Sequence, residues 1–409
     1  MKVRPVELLK GLPFSLLLFI LPFPGTVALR LLCLVAAFVL AIQLWRQGDT
    51  PSVPIRFALL AWAAVALLSL TYAVDPAYSL GEIKNELGYT MAAFFAFFVA
   101  TKTRERLQAW ALSVIAAATV ISVWALVIWG GRGSWDDSAG HGGVGSFASL
   151  AVTTLPLIML CWLFSWNGLA RGVRIALAAV GVLILLAAVA TQQRILWISF
   201  GVQFAVIVGL LWHSRILTLK PYAVALSLAG SLVLAGAAVL VIHNQKVDQS
   251  PVEYYDLGND FRLRHWAQIM DRIGQSPLIG GGFGREAMKK AYPDLVPTVK
   301  PMTLLWHPHN VFLTYGVGMG IPGMLALLGV FGALVAGYTR HLGAQETDRR
   351  LVAIAGIALV SGLVVRNMTN DFFVRDGALM FWALNGALLG YLSRQSMQSM
   401  QSMQPKDGD

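Results

Sequence analysis

The chain has 409 residues, 57% of them hydrophobic and 13% charged, with a mean hydropathy of +0.66 and a formal net charge of +10. About a quarter of the residues in a soluble domain are charged, so an ordinary soluble domain is excluded. The basic excess forms no stripe of cations interleaved with aromatic residues, which gives no support to nucleic acid as a partner.

Apolar runs of about 20 residues, long enough to cross a bilayer, recur along the chain. They predict helices over 12–24, 25–45, 54–73, 87–101, 107–129, 145–166, 173–190, 195–213, 220–243, 310–338, 351–366 and 377–393. The count is twelve if Pro22 to Gly25 form a turn and not a kink. The first run lacks a small-residue cleavage site and reads as a first helix, not a removable leader. Basic residues fall on alternate connections: Lys2, Arg4 and Lys10, then Arg46 and Arg56, then Lys102, Arg104 and Arg106. The series continues with Arg171 and Arg174, Arg215 and Lys220, Arg340, Arg349 and Arg350, and Arg394. Acids such as Asp75, Glu86, Asp136 and Asp371 fall on the other connections. The positive-inside rule then places both termini in the cytoplasm. Cys33 and Cys161 lie inside predicted spans, so no disulfide framework is implied.

The expected organisation is helices one to nine over 1–243, a long outer loop over 244–308, helices ten to twelve over 309–393, and a tail over 394–409. The tail, RQSMQSMQSMQPKDGD, is of low complexity and is expected to be disordered. The long loop is not expected to be structureless. In NDFRLRHWAQIMDRIGQSP, Trp266, Ile269 and Ile273 share one helical face, and REAMKKAY fits a second short helix. The loop therefore reads as a helical cap on the outer surface.

His309 stands where the chain leaves this cap and enters a span. An interfacial histidine that snorkels is the plain reading; a general base is the functional one. Asn310 either caps the helix or orients a substrate hydroxyl. Arg262 shares the apolar face, at four, seven and eleven residues before Trp266, Ile269 and Ile273. An arginine there is costly unless an anion meets it, so Arg262 is preferred to Arg264, which shares a polar stripe with Gln268, Asp271 and Arg272. Arg194, in TQQRILWIS, opens another span on the outer side. PLIGGGFGREAM, with Arg285, has the form of a weak anion nest. Arg366 and Arg375 flank Asp371 and Asp376, so a plain salt bridge explains them at least as well as a substrate role. A metal site is poorly supported: His307 and His309 have no recognised ligand spacing, and Asp136, Asp137 and His141 read as a solvated loop. Arginine's planar fork suits a diphosphate, and on the outer side that points to a lipid diphosphate in the membrane.

Three segments carry a resemblance. His309-Asn310, nine residues, then Gly320-Ile-Pro-Gly323 resembles the signature of the bacterial O-antigen ligases, whose superfamily also contains the O-antigen polymerases. TQQR at Arg194 is similar to the family's outer-face arginine segment, with Gln193 where the family usually has Ser. FRLRHWAQIMDRIGQSPLIGGGFG resembles the superfamily's R-L-x-x-W run and aligns the family arginine with Arg262. The resemblance implies an all-α integral membrane protein of about twelve transmembrane helices, a GT-C-like bundle with a helical periplasmic cap, in the bacterial inner membrane. It implies transfer of a glycan from undecaprenyl diphosphate to the lipid A-core oligosaccharide, inverting, with no metal and no cofactor. In that reading His309 is the base, Arg194, Arg262 and Asn310 bind substrate, Arg264, Arg285 and Arg366 are further candidates, and Gly320 and Gly323 are motif glycines. The other readings are an O-antigen polymerase, a protein O-oligosaccharyltransferase and, from a different class, a secondary transporter.

Overall fold

The computed structural model describes residues 5–48, 50–164, 171–249, 261–298, 305–371, 373 and 375–403. Among them there is no strand, and each of the twelve apolar runs lies on a helix: α1 (Pro5–Ile20), α2 (Val27–Trp45), α3 (Arg56–Leu68), α5 (Tyr89–Ala100), α6 (Arg104–Arg132), α7 (Val144–Phe164), α8 (Arg171–Ala190), α9 (Arg194–His213), α10 (Pro221–Gln249), α13 (Val311–Thr339), α14 (Thr347–Arg366) and α15 (Arg375–Met403). Seven of these, α2, α6, α7, α8, α9, α10 and α13, are long and apolar enough to cross a membrane. The chain is an all-helical, multi-pass membrane protein.

Helices α1 and α2 are joined by a turn that places Gly25 at φ +77°, as the turn reading expects. An unforeseen short helix, α4 (Pro76–Glu82), and a π-helical segment, Ile83–Gly88, precede α5. The tail is corrected: α15 runs on to Met403, so residues 394–403 are helical, while 404–409 lie outside the described residues. Gln, Ser and Met tolerate a helix once an apolar helix has nucleated it. Lys2 and Arg4 of the topology argument, and residues 250–260 and 299–304 of the long loop, also lie outside the described residues.

Small residues set the helix spacing. A Cβ at Gly386 or Gly390 would stand 2.3 Å from the carbonyl oxygens of Phe94 and Phe98, so α15 lies directly against α5. Deeper in the bundle the buried Gln203 of α9 donates to Val152 O of α7 at 2.8 Å and to Ala358 O of α14 at 3.1 Å. That pin fixes the register. Arg350 at the start of α14 donates to Ser214 O at the end of α9, so the two helices run antiparallel. Arg194, nine residues before Gln203, and Arg366, eight after Ala358, therefore reach the same end of the bundle at about 1.5 Å per residue.

The cap occupies that end. It contains α11 (Phe261–Gln275) and α12 (Ala287–Ala291). Ile269 and Ile273 of α11 pack with Met288, Leu295, Leu313 and Val317 in a small core of their own, so the predicted apolar face does lie against α13. The predicted second helix is shorter than REAMKKAY, because Arg285 and Glu286 belong to the preceding turn.

Helix α13 is broken at Gly320, whose φ of +68° and ψ of −168° are not helical. Pro322 has no amide hydrogen, and Ile321 donates outward to Pro277 O at 2.8 Å. The carbonyls of Val317 and Gly318 thus lose their partners within the helix. The cap supplies new ones: the Gly281 amide donates to Val317 O at 3.0 Å and the Gly282 amide to Gly318 O at 2.8 Å. Gly281 O in turn accepts from Val74 at 3.2 Å, ahead of α4. A side chain at Gly320 would meet Pro277 O at 2.6 Å. The run PLIGGGFG is therefore a clamp on the broken helix, and the anion-nest reading is corrected for Gly281 and Gly282, whose amides are already engaged.

Candidate active site

The approach to α13 is a tight turn, His307-Pro308-His309, with His309 at φ +51°. Few non-glycine residues adopt that conformation, though histidine is among those enriched there. Trp266 of α11 holds the turn by donating its indole hydrogen to Pro308 O at 2.7 Å. Asn310 then starts the helix: its Oδ1 accepts from the amides of Phe312 and Leu313 at 2.9 and 3.2 Å. Its Nδ2 donates to Met368 O at 2.9 Å, which ties α13 to the connection after α14. Asn310 is a helix cap, the plainer of its two readings.

The rings of His307 and His309 lie 3.9 Å apart, and that of Trp306 lies 4.4 Å from His307. Arg285 Nη2 is 2.7 Å from His307 Nε2, and the His309 amide is 3.1 Å from His307 Nδ1. Both neighbours are donors, which rules out the imidazolium form. A neutral ring accepts at one nitrogen only, and the shorter, charge-assisted Arg285 contact takes that role. Burial, then the charges of His309 and Arg285, pull the His307 pKa down to about 2. His265, on the buried side of α11, is likewise lowered to about 4 by burial and then by His309.

Arginines surround these rings. The charge of Arg262 reaches both His307 and Arg366. Arg366 is fully buried at the end of α14, with Nη2 at 3.4 Å from Gly145 O of α7. Arg285 also lies 4.0 Å from the buried Asp371, which accepts from Thr314 at 2.8 Å. Burial raises the Asp371 pKa, opposed by Arg285 and the Thr314 hydroxyl.

The expected salt bridges are redrawn. Asp371 meets Arg285 and Thr314, Asp376 pairs with Arg30, and the Arg375 amide is bound by Glu86 at 2.8 and 3.0 Å. Arg264 is exposed, as its polar stripe predicts. The structure thus gathers His309, Asn310, Arg262, Arg285 and Arg366 at the head of α13, and sets Arg194 at the same end of the bundle through the Gln203 pin. Sequence reasoning missed His265 and the role of His307. The signal for His265 was present, since it stands four and eight residues before Ile269 and Ile273. Among the described residues no three His, Cys, Asp or Glu side chains gather as a metal site. His141, read as part of a solvated loop, is instead 2% exposed.

A multi-pass helical protein with a buried arginine–histidine cluster under a helical cap is the class that these features define. Residues 179–328 match the family described as O-antigen ligase (Wzy_C). This match, over residues 179–328, supports membership of the O-antigen ligase/Wzy-like superfamily. The match includes Arg194, Arg262, Arg285, His309, Gly320 and Gly323, and leaves Arg366 and Asp371 outside it. Comparison with curated proteins returns no match.

Proposed function

We propose that the chain is an O-antigen ligase that moves a glycan from undecaprenyl diphosphate to the lipid A-core oligosaccharide. The observation that carries this reading is the contact of Arg285 with His307, whose ring lies 3.9 Å from that of His309 at the head of α13, with Arg262 near enough for its charge to act on His307. A core-sugar hydroxyl attacks the anomeric carbon of the donor from the side opposite the diphosphate. The new C–O bond forms as the bond to the diphosphate oxygen breaks, and the diphosphate leaves with the electron pair, inverting the centre. The hydroxyl proton passes to His309. Guanidinium groups fixed in a site of low dielectric stabilise charge developing on the leaving oxygen, so no strong general acid is required. Arg262 and Arg194 are assigned to the diphosphate, and Asn310 holds His309 in place by capping α13. The reading includes twelve crossings, both termini in the cytoplasm and the cap in the periplasm, supported by the alternation of basic connections.

A transporter would carry ionisable groups at mid-membrane. Among the described residues the buried charged ones, Arg30, Glu86, Arg366, Asp371 and Arg394, stand near the ends of the predicted spans or just outside them, which favours the transferase.

Deletion of the gene in its host tests the reading, with lipid A-core and the undecaprenyl carrier both run on gels. The ligase predicts lipid A-core without O-antigen and long chains accumulated on the carrier. A single repeat on lipid A-core with no ladder would assign the chain to the polymerases instead. Transfer by the purified protein is expected to withstand chelation; loss reversed by added Mg²⁺ would refute metal independence.

A further inference from the structure

A cavity of about 270 Å³ opens beside the cluster, between the α1–α2 turn, α6, α7 and the start of α15. It does not include His309. Its polar part is formed by Arg30, His141, Arg285, Arg375 and Asp376, and its deeper wall by apolar side chains such as Phe147 and Leu150 of α7. Ser146, Leu150 and Thr153 line it along one face of α7, so it descends about 10 Å at 1.5 Å per residue. Asp376 is the only carboxylate lining it among the described residues, and it is paired with Arg30. The lining is therefore net cationic.

His141 gives this cavity a second kind of partner. Its Nδ1 lies 2.9 Å from Gly142 O. A carbonyl only accepts, so Nδ1 carries the hydrogen and Nε2 presents its lone pair. Nε2 is buried and has no hydrogen-bond partner among the described residues, while Trp135 and Trp124 meet the ring edge-on at 4.9 and 6.2 Å. A buried acceptor of this kind costs stability unless something donates to it. The arginines call for an anion, the Nε2 for a hydroxyl, and the apolar wall for a lipid chain.

We infer that this cavity is a binding site for the head of a phosphorylated, sugar-bearing lipid, separate from the Arg262–His309 cluster, with His141 Nε2 accepting a sugar hydroxyl. The inference rests on the reading of the chain as a lipid-linked glycan transferase. Arg285 joins the two sites: it lines the cavity and also contacts His307, whose ring lies 3.9 Å from that of His309. A phosphate held in the cavity is thereby brought to the edge of the histidine cluster. The volume of about 270 Å³ falls just below the range of about 300–1,000 Å³ for ligand sites, which suits a headgroup and not a whole lipid.

The test is binding, measured on the full chain in lipid nanodiscs. The probes are farnesyl diphosphate, farnesyl-diphospho-N-acetylglucosamine, farnesol and inorganic diphosphate. Both farnesyl diphosphates are expected to bind, with inorganic diphosphate and farnesol weaker by at least about tenfold, as one lost set of contacts of about 1.4 kcal/mol implies. Leu150→Trp, which fills the cavity, and Arg375→Ala, at an exposed side chain that folding tolerates, should each weaken both lipid diphosphates by a similar factor. His141→Phe should weaken only the sugar-bearing probe, about tenfold for one hydrogen bond. Equal binding by Leu150→Trp, Arg375→Ala and the parent chain would overturn the site. Inorganic diphosphate binding as tightly as the lipids would make it a free-anion site. Equal losses for both lipids in His141→Phe would remove the hydroxyl role. A chain that binds in the cavity but fails the gene-deletion test refutes the proposed transfer and leaves this site standing. Transfer that succeeds while the cavity variants bind normally refutes the site alone.

Discussion

At the end of the bundle away from the cap, Arg104 pairs with Asp348 at 2.7 Å, Arg349 with Glu346 at 3.2 Å, and Arg394 donates to Val99 O at 2.8 Å. Each guanidinium there meets a carboxylate or a carbonyl that fixes a helix end. At the cap end Arg285 meets His307 and Asp371, the charge of Arg262 acts on His307, and His265 and His309 lie near enough to act on His307 as well. Ion pairs occur at the cap end too, as in Arg30–Asp376 and Arg272–Asp294, but there Arg285 also faces the paired rings of His307 and His309. A positive region walled by apolar helices focuses its field, and a phosphorylated lipid is the kind of partner that such a field suits.

The sharpest way to break this comparison is to remove one group from each end. His309→Ala is expected to lower glycan transfer about 10²–10⁴-fold, the usual contribution of a general base, when purified protein is assayed with lipid-linked donor and lipid A-core. Arg104→Ala in the same assay should leave transfer within about twofold, since a half-exposed ion pair contributes at most about 1 kcal/mol to stability. Equal losses would mean that both ends act only on folding. Arg262→Lys keeps the charge but loses the planar fork. Transfer should fall about 10²-fold, the effect of losing one transition-state donor, and parental rates would assign Arg262 to general charge alone.

Gly320→Ala places a side chain at φ +68° and against Pro277 O. It is expected to cost about 1–3 kcal/mol, seen as a lower Tm and as protease cleavage in the cap before the bundle. A Tm within about 1 °C of the parent would show that the break is not a constraint. The last effect is that of pH. His265 titrates near 6.5 when unfolded and near 4 when folded, because burial disfavours its charged form. The unfolded chain therefore binds more protons between those values, and stability falls as pH drops from about 6.5 to about 4. Tm should be level above that window, decline through it, and decline less in His265→Phe; identical profiles would clear His265 of the role.

Much of the fold was legible because membrane helices write themselves locally. A 20-residue apolar run needs no distant partner to be recognised, and the Arg262–Trp266–Ile269–Ile273 face follows from helical spacing alone. Asn310 could likewise be read as a cap from its place before an apolar run. The contacts that complete the site could not. Arg285 meets His307 across 22 residues, and Thr314 meets Asp371 across 57. The clamp of Gly281 and Gly282 on Val317 and Gly318 is invisible too, because it depends on amides that no side chain announces. For the same reason a glycine run that offered a weak anion-nest signal has two of its amides engaged by a helix.

The break at Gly320 also divides α13 by mechanical duty. Ile321–Thr339 extends about 28 Å, close to the hydrocarbon thickness of a bilayer, while Val311–Gly320 adds about 15 Å above it. Ile321, Leu325 and Leu328 of the lower piece are exposed, whereas the upper piece is largely buried against the cap. The upper piece is hydrogen-bonded to the cap through Gly281 and Gly282, so above the joint helix and cap form one unit, and the break at Gly320 separates that unit from the lower piece.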